Sequence, residues 1–132
     1  MSTPVGPYTP IVRVGPWLVC SGQLGLQSPV PGGPGADGVA TTPAPVALVE
    51  GGVVEQLVQA LANGERLLRG KGALLADVFK TTVFLTDMDD YPAVNEAYAG
   101  VFGQHRPARS VVAVAGLPMG ALVEVELWAY CP

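Results

Sequence analysis

Basic side chains are scarce in this sequence, and they do not cluster. Seven Lys and Arg residues stand against eleven Asp and Glu residues, so the formal net charge is −4. Proteins that bind nucleic acids follow the phosphate backbone with a basic stripe or patch. The composition therefore argues against nucleic-acid binding.

Charged residues of either sign are also few. They make up 14% of the 132 residues, whereas 49% are hydrophobic. A chain of this length fits one domain, residues 1–132, that buries roughly two thirds of its unfolded surface. So little charge would cover a monomer's surface poorly, and we expect further apolar surface to be buried between subunits.

Cysteines and long apolar runs are nearly absent. Cys20 and Cys131 both lie in apolar, strand-like segments, which predicts two buried reduced thiols instead of a disulfide or metal framework and fits the cytoplasm. No basic region followed by an apolar run opens the chain, and no apolar stretch approaches about 18 residues. We expect neither a secretion signal nor a membrane anchor.

What is present predicts the element order β-β-α-β-α-β-β. The predicted strands are Ile11–Val14, Trp17–Ser21, Asp77–Leu85, Ser110–Ala115 and Ala121–Tyr130. Gly15-Pro16 suits a type II′ hairpin turn. The first helix follows Gly51-Gly52, with Val54, Leu57, Leu61 and Leu68 at helical spacing. The second begins with Asp89 as its N-cap and buries Tyr91, Val94, Tyr98, Val101 and Phe102.

This order indicates an α+β fold, a mixed sheet with both helices on one face. In the last strand, Val123, Val125, Leu127 and Ala129 point one way and Glu124, Glu126, Trp128 and Tyr130 the other. Both faces of Ser110–Ala115 are apolar, and no helix is left to cover the second face. A homo-oligomer with its open sheet faces turned inward is the economical solution. The Pro/Gly-rich stretch 29–47 reads as a long loop.

Arg109 is the best candidate for binding a carboxylate. A guanidinium donates two parallel charge-assisted hydrogen bonds to such a group. Arg109 follows Pro107-Ala108 and precedes an apolar strand, where an unpaired charge would be costly. A structural salt bridge, for instance to Glu126, explains the residue equally well at this stage.

Glu124 and Glu126 lie on one face of a strand, where their like charges should raise at least one pKa. A carboxylate with a raised pKa can orient or deprotonate water. The alternative is a simple hydrated face, which an isolated E-x-E pattern favours.

Three other features point to structure more than to chemistry. His105 lies in a Gly-Gln-His-Arg loop and is expected to be solvated. Ser21 lacks the G-x-S-x-G surroundings of a nucleophile and is taken as the end of the hairpin. The glycine-rich segment at 32–38 lacks the Gly-Lys-Ser/Thr ending of a phosphate-binding loop.

Several segments together resemble the RidA/YjgF family of reactive-intermediate deaminases. They are Gly6-Pro7-Tyr8, Ser21-Gly22-Gln23, the helix QALANGERLL, the stretch GALLADVFKTTVFLTDMDDYPAVNEAY, Pro107-Ala108-Arg109-Ser110, and Val123-Glu124-Val125-Glu126. They cover nearly all of the chain outside 29–47. The resemblance implies a chorismate-mutase-like fold assembled as a homotrimer, with sites in the clefts between subunits.

The resemblance also implies roles for single residues. Arg109 would bind the substrate carboxylate, and Glu124 would position or activate the attacking water. Tyr8 would line the pocket, and the backbone at Gly22 and Val111 would approach the ligand. Two further matching positions, Asn95 and Tyr98, are interpreted as support and not as catalytic.

The implied chemistry hydrolyses enamines and imines, such as 2-aminoacrylate and other 2-imino acids, to 2-keto acids and ammonia without a metal or organic cofactor. Val111 stands where many relatives have Cys, so thiol modification there is excluded. The loop 29–47 is longer than the family's usual connection, and we expect it to cover the pocket mouth.

Two other functions fit the same residues. One is hydrolysis of a different small carboxylated catabolic intermediate, which the long loop favours. The other is a non-catalytic metabolite-binding or chaperone-like trimer, which would need Arg109 but not Glu124. Some relatives have been described as ribonucleases, which the acidic charge disfavours here.

Overall fold

A computed structural model of the chain describes residues 6–27 and 46–132. Its helices and strands follow the predicted order: β1 Ile11–Val14, β2 Trp17–Leu24, α1 Val53–Arg69, β3 Val78–Leu85, α2 Tyr91–Phe102, β4 Ala108–Ala113 and β5 Val123–Tyr130. The predicted loop 29–47 lies outside these residues except for its last two positions. None of the helices described is long and apolar enough to cross a membrane.

The five strands form one mixed sheet in the order β1-β2-β5-β3-β4. The first two strands form the predicted hairpin, in which Gly15 has a φ of 58°. β3 and β4 run parallel and are connected through α2, whereas every other neighbouring pair is antiparallel. β4 therefore ends the sheet on one side, beside β3.

The core lies between the sheet and the two helices. The residues of β5 that alternate toward it are fully buried, as predicted: Val123, Val125, Leu127 and Ala129. α1 contributes Leu57, Ala60, Leu61 and Leu68, and α2 contributes Val94, Tyr98 and Phe102. Both helices thus pack on one face, as the alternation along β5 requires.

The other sheet face is open and largely apolar. Trp17 packs edge-on against Phe79 and Tyr130, with ring centroids 5.2 and 5.0 Å apart, and all three rings remain partly exposed. Val12 and Trp128 lie on the same face and are also exposed. Adjoining exposed apolar side chains of this kind are typical of a surface that is buried against a partner.

Several local expectations are wrong. The predicted N-cap, Asp89, lies in a short 3-10 turn, and it is Asp87, in an extended conformation, that accepts a hydrogen bond from the Asp89 amide. Because this turn leads directly into α2, Tyr91 falls at the helix start and is 38% exposed. Val101 is only half-buried and Val54 is exposed.

The cysteines meet the expectation in part. Both are free, but only Cys20 is buried, and burial raises its pKa to about 12. Cys131 is half-buried just beyond β5, where its thiol faces the Gly72 carbonyl. The buried Cys20 thiol therefore stays protonated and behaves as a small apolar side chain.

Replacing Leu127 tests how much the central strand contributes to stability. Its side chain is fully buried, and its Cδ1 atom lies 2.3 Å from where a Cβ on Gly64 of α1 would stand. We expect Leu127→Ala to lower the free energy of unfolding by about 2–5 kcal/mol, because a cavity remains. Urea denaturation followed by circular dichroism measures it. The control Val58→Ala, at an exposed helix position, should change the free energy of unfolding by less than about 0.5 kcal/mol. A similar loss of stability in both variants would contradict the conclusion that Leu127 is a core residue.

Candidate active site

Arg109 lies on β4 and faces the helix layer. In the parallel register it stands beside Thr81 of β3, which is fully buried beneath α2. Its Nη2 atom donates to Asn95 Oδ1 at 2.8 Å and, more weakly, to the Tyr91 hydroxyl at 3.4 Å. The alternative salt bridge to Glu126 is not formed. Glu126 of β5 pairs with Thr82 of β3, and its side chain lies on the sheet face opposite to Arg109. The single ion pair among the described residues joins Arg69 and Glu65.

Two tyrosines of α2 flank the guanidinium. Arg109 Cζ lies 4.8 Å from the ring centroid of Tyr98 and 5.7 Å from that of Tyr91, both within the range of cation–π attraction. The Tyr98 hydroxyl lies 2.7 Å from Thr81 Oγ1 in the core. Burial raises the pKa of Tyr98, against the lowering effects of that hydrogen bond and of the nearby arginine charges. The phenol therefore stays neutral and forms a fixed platform under the cation.

These contacts leave part of the guanidinium available. Within the described residues, the hydrogen bonds of Arg109 all use Nη2, so Nε and Nη1 can donate to a ligand. Beside them is a cavity of about 260 Å³ lined by Asn95, Tyr98, Ala99, Arg106, Pro107 and Arg109. The lining includes two arginines and no carboxylate, which suits an anion.

Glu124 lies on the opposite, open face of the sheet. It is half-buried near the start of β5, between Phe84 and Leu24 of the neighbouring strands. Burial, and secondarily the charge of Glu126, raise the pKa of its carboxyl. The expectation drawn from the E-x-E pattern is thus met at Glu124, although desolvation is the larger cause.

Gly22 makes room for this carboxylate. β2 is irregular between Cys20 and Gln23, and a Cβ on Gly22 would stand 2.4 Å from Glu124 Oε1. Ser21 accompanies it as a structural anchor, because its hydroxyl donates to the Thr9 carbonyl at 2.6 Å. That bond ties β2 to the segment carrying Tyr8, whose ring is 42% exposed.

One chain therefore holds the candidate residues in two separate groups. Arg109 and Val111 lie on the helix side of β4, and Val111 packs against the core. Glu124 and Gly22 lie on the open side of the sheet, across the strands from them. No single-chain cleft among the described residues brings the groups together.

Some positions differ from their sequence interpretation. His105 is not a solvated loop residue: it is half-buried, and its Nε2 atom lies 2.6 Å from the Val78 carbonyl. The chain reverses at Gly103, where φ is 64°, and folds back toward β3.

From the sequence, Tyr91 and Arg106 were not identified as neighbours of Arg109. The i, i+4, i+7 spacing places Tyr91 on the same helix face as Asn95 and Tyr98, and this pattern could have revealed Tyr91. The described ranges hold no group of three or more His, Cys, Asp or Glu residues suited to a metal ion.

The chain is similar to known proteins over most of its length. The family model described as endoribonuclease L-PSP matches residues 1–131. The 2-iminobutanoate/2-iminopropanoate deaminase of Mus musculus is 40% identical over 122 residues, which are 92% of this chain and 78% of that protein. Two solved structures are similar over most of their lengths. RidA of a Psychrobacter species gives a TM-score of 0.80 at 33% identity, covering 97% of this chain and 91% of that one. Escherichia coli TdcF with bound serine gives 0.74 at 30% identity, covering 98% and 91%.

The Glu126→Gln substitution tests the electrostatics around Glu124. It removes the neighbouring negative charge but leaves the burial, so the pKa of Glu124 should fall while staying above the usual range of a glutamate. A ¹³C NMR pH titration of the side-chain carboxyl measures this. Glu96→Gln makes the same charge change on exposed α2 and should leave the Glu124 pKa unchanged. Equal shifts in the two variants would contradict a local effect of Glu126.

Proposed function

Because this chain belongs to the RidA/YjgF family, we propose that it is a hydrolytic deaminase that converts 2-imino acids and their enamine tautomers to 2-keto acids and ammonia. The mouse relative carries the name of that activity.

The observation that carries the proposal is the arrangement of Arg109. Asn95 and Tyr98 hold the guanidinium, and two of its nitrogens remain available beside an anion-sized cavity. A carboxylate on Nε and Nη1 would accept two charge-assisted hydrogen bonds, each worth about 1.5–3 kcal/mol. The structure of TdcF with bound serine, an amino acid that carries such a carboxylate, gives support from a relative.

Glu124 is the proposed base. In the reaction, the enamine tautomerises to an imine, and water adds to the C=N carbon. Glu124 takes a proton from that water and returns it to the nitrogen, giving the carbinolamine. It then transfers the carbinolamine's hydroxyl proton to the same nitrogen, the C–N bond breaks as the C=O bond forms, and ammonia leaves the keto acid. The raised pKa of Glu124 suits both steps, because its protonated and ionised forms then lie closer in free energy near neutral pH. None of these steps requires a metal or an organic cofactor.

A second copy of the chain would complete the site. We propose a homotrimer with a chorismate-mutase-like arrangement, in which the open sheet faces turn inward. Tyr8, Gly22 and Glu124 of one subunit would then meet Arg109 and Val111 of the next. The exposed apolar rings of the open face support burial of this kind. The proposed partners are thus a small carboxylate substrate and further copies of the chain, and not a nucleic acid or a membrane.

Ammonia release tests the proposed function. Imino acids are generated in situ by an amino-acid oxidase, and the wild type, Arg109→Ala and Glu124→Gln are compared. We expect Glu124→Gln to lower kcat by about 10²–10⁴-fold, because it lacks the base. Arg109→Ala should act mainly by raising KM, because the carboxylate loses its partner.

The outcomes separate the alternatives. No acceleration by the wild type for any imine would overturn the deaminase. Retained binding of 2-oxobutanoate that depends on Arg109, without turnover, would indicate the metabolite-binding protein. Turnover of another carboxylated intermediate, with imines unchanged, would indicate a different hydrolase.

The Gly22→Ala substitution tests whether the position of Glu124 matters. The added methyl group would overlap the Glu124 carboxylate and displace it. A misplacement of about 1 Å can cost about 100-fold in rate, so we expect a loss of that order in kcat with the fold retained. Gly100→Ala on α2, where a Cβ would meet no atom within 4 Å, serves as control. Wild-type activity in Gly22→Ala would show that the carboxylate position is unimportant.

A further inference from the structure

Arg106 is a second, fixed cation at the Arg109 cavity. Its Nη1 atom donates to the carbonyls of Gly103 and His105, so the side chain folds back onto the end of α2. The negative end of the helix dipole lies there, which favours a cation. The reversal at Gly103 places Arg106 in this position.

The two arginines line one cavity and are anchored at different places. Arg109 is held at Asn95, within α2, and Arg106 at Gly103, just beyond the end of α2. Tyr98 and Ala99 also line the cavity. The charges of both arginines act on the Tyr98 hydroxyl, so both cations lie near it.

The charge of the cavity is unbalanced within the described residues. Its lining has two guanidinium groups, one amide and one phenol, and no acidic side chain. A substrate with one carboxylate would satisfy Arg109 and leave Arg106 facing an apolar side chain. A substrate with a second carboxylate would satisfy both cations.

We propose that Arg106 is a specificity-determining residue that binds the side-chain carboxylate of dicarboxylic 2-imino acids, the imines formed from aspartate- and glutamate-type amino acids. The proposal rests on the proposed function, because Arg109 must hold the first carboxylate. Arg106 acts through binding and takes no part in the proton transfers.

Binding of unreactive keto acids tests the proposal without turnover. 2-Oxoglutarate is compared with 5-methyl-2-oxohexanoate, in which an isopropyl group replaces the distal carboxylate at nearly the same shape. By titration calorimetry the wild type should bind 2-oxoglutarate about three- to tenfold more tightly, the range for a partly exposed charge pair. Arg106→Gln should remove this preference and leave the affinity for the methyl analogue unchanged.

Two control variants separate binding from helix capping. Arg106→Lys keeps the charge and should retain part of the preference. Arg69→Gln removes one positive charge from α1, where Arg69 pairs with Glu65, and should keep the full preference. Equal affinity of the wild type for both ligands overturns the proposal. An equal loss of affinity for both ligands in Arg106→Gln also overturns it, because that result would show that Arg106 only supports the fold.

Turnover separates this proposal from the proposed function. Iminosuccinate and the imine of leucine have side chains of similar shape that differ in charge, and only the first should be hydrolysed more slowly by Arg106→Gln. If no imine is hydrolysed but 2-oxoglutarate binding depends on Arg106, the proposed deaminase function is wrong and the proposed binding of a second carboxylate by Arg106 is supported. If imines are hydrolysed with no dependence on Arg106, the pocket assignment fails alone.

Discussion

The parallel pairing of β3 with β4 is the constraint on which the site depends. It sets Arg109 beside Thr81, beneath α2, so that the guanidinium reaches Asn95 and rests on Tyr98. Thr81 holds the Tyr98 hydroxyl from within the core. A chain of contacts therefore leads from a fully buried threonine to the cation, and the geometry of the anion pocket is inherited from core packing. Side chains held in this way lose little entropy when a ligand binds.

The sheet also separates the two chemical tasks. Its helix side carries the two arginines that line the cavity, and its open side carries the carboxylate whose pKa is raised. A positive and a negative group that were neighbours in one chain would form a salt bridge and lower each other's reactivity toward a ligand. Placing Arg109 and Glu124 on opposite faces prevents this within a chain and leaves each available for the proposed substrate.

The sequence predicted local patterns well and long-range pairings poorly. The element order and the alternation along β5 follow from periodicity. The direction of the Glu124 pKa shift was also predicted, but its main cause is burial, and the neighbouring charge of Glu126 that the sequence revealed is the smaller cause. The choice between a ligand and Glu126 as the partner of Arg109 could not be made, because it depends on which strands are neighbours and on their register. His105 was misread for the same reason, since its partner, Val78, lies in a strand 27 residues away. The RidA/YjgF motifs, and not periodicity, led to the proposal that Arg109 binds a substrate carboxylate.

β4 ends the sheet, so within the described residues its outer edge has no neighbouring strand. Its residues, Ala108–Ala113, are short and mostly apolar apart from Arg109 and Ser110, and the exposed Val112 lies among them. An edge strand of this composition presents backbone amides and carbonyls that can pair with another chain. Arg109, pinned to α2, and Pro107, which lacks an amide hydrogen just before the strand, are the features that oppose such pairing. Arg109, the proposed carboxylate-binding residue, would thus also oppose aggregation at this edge of the sheet.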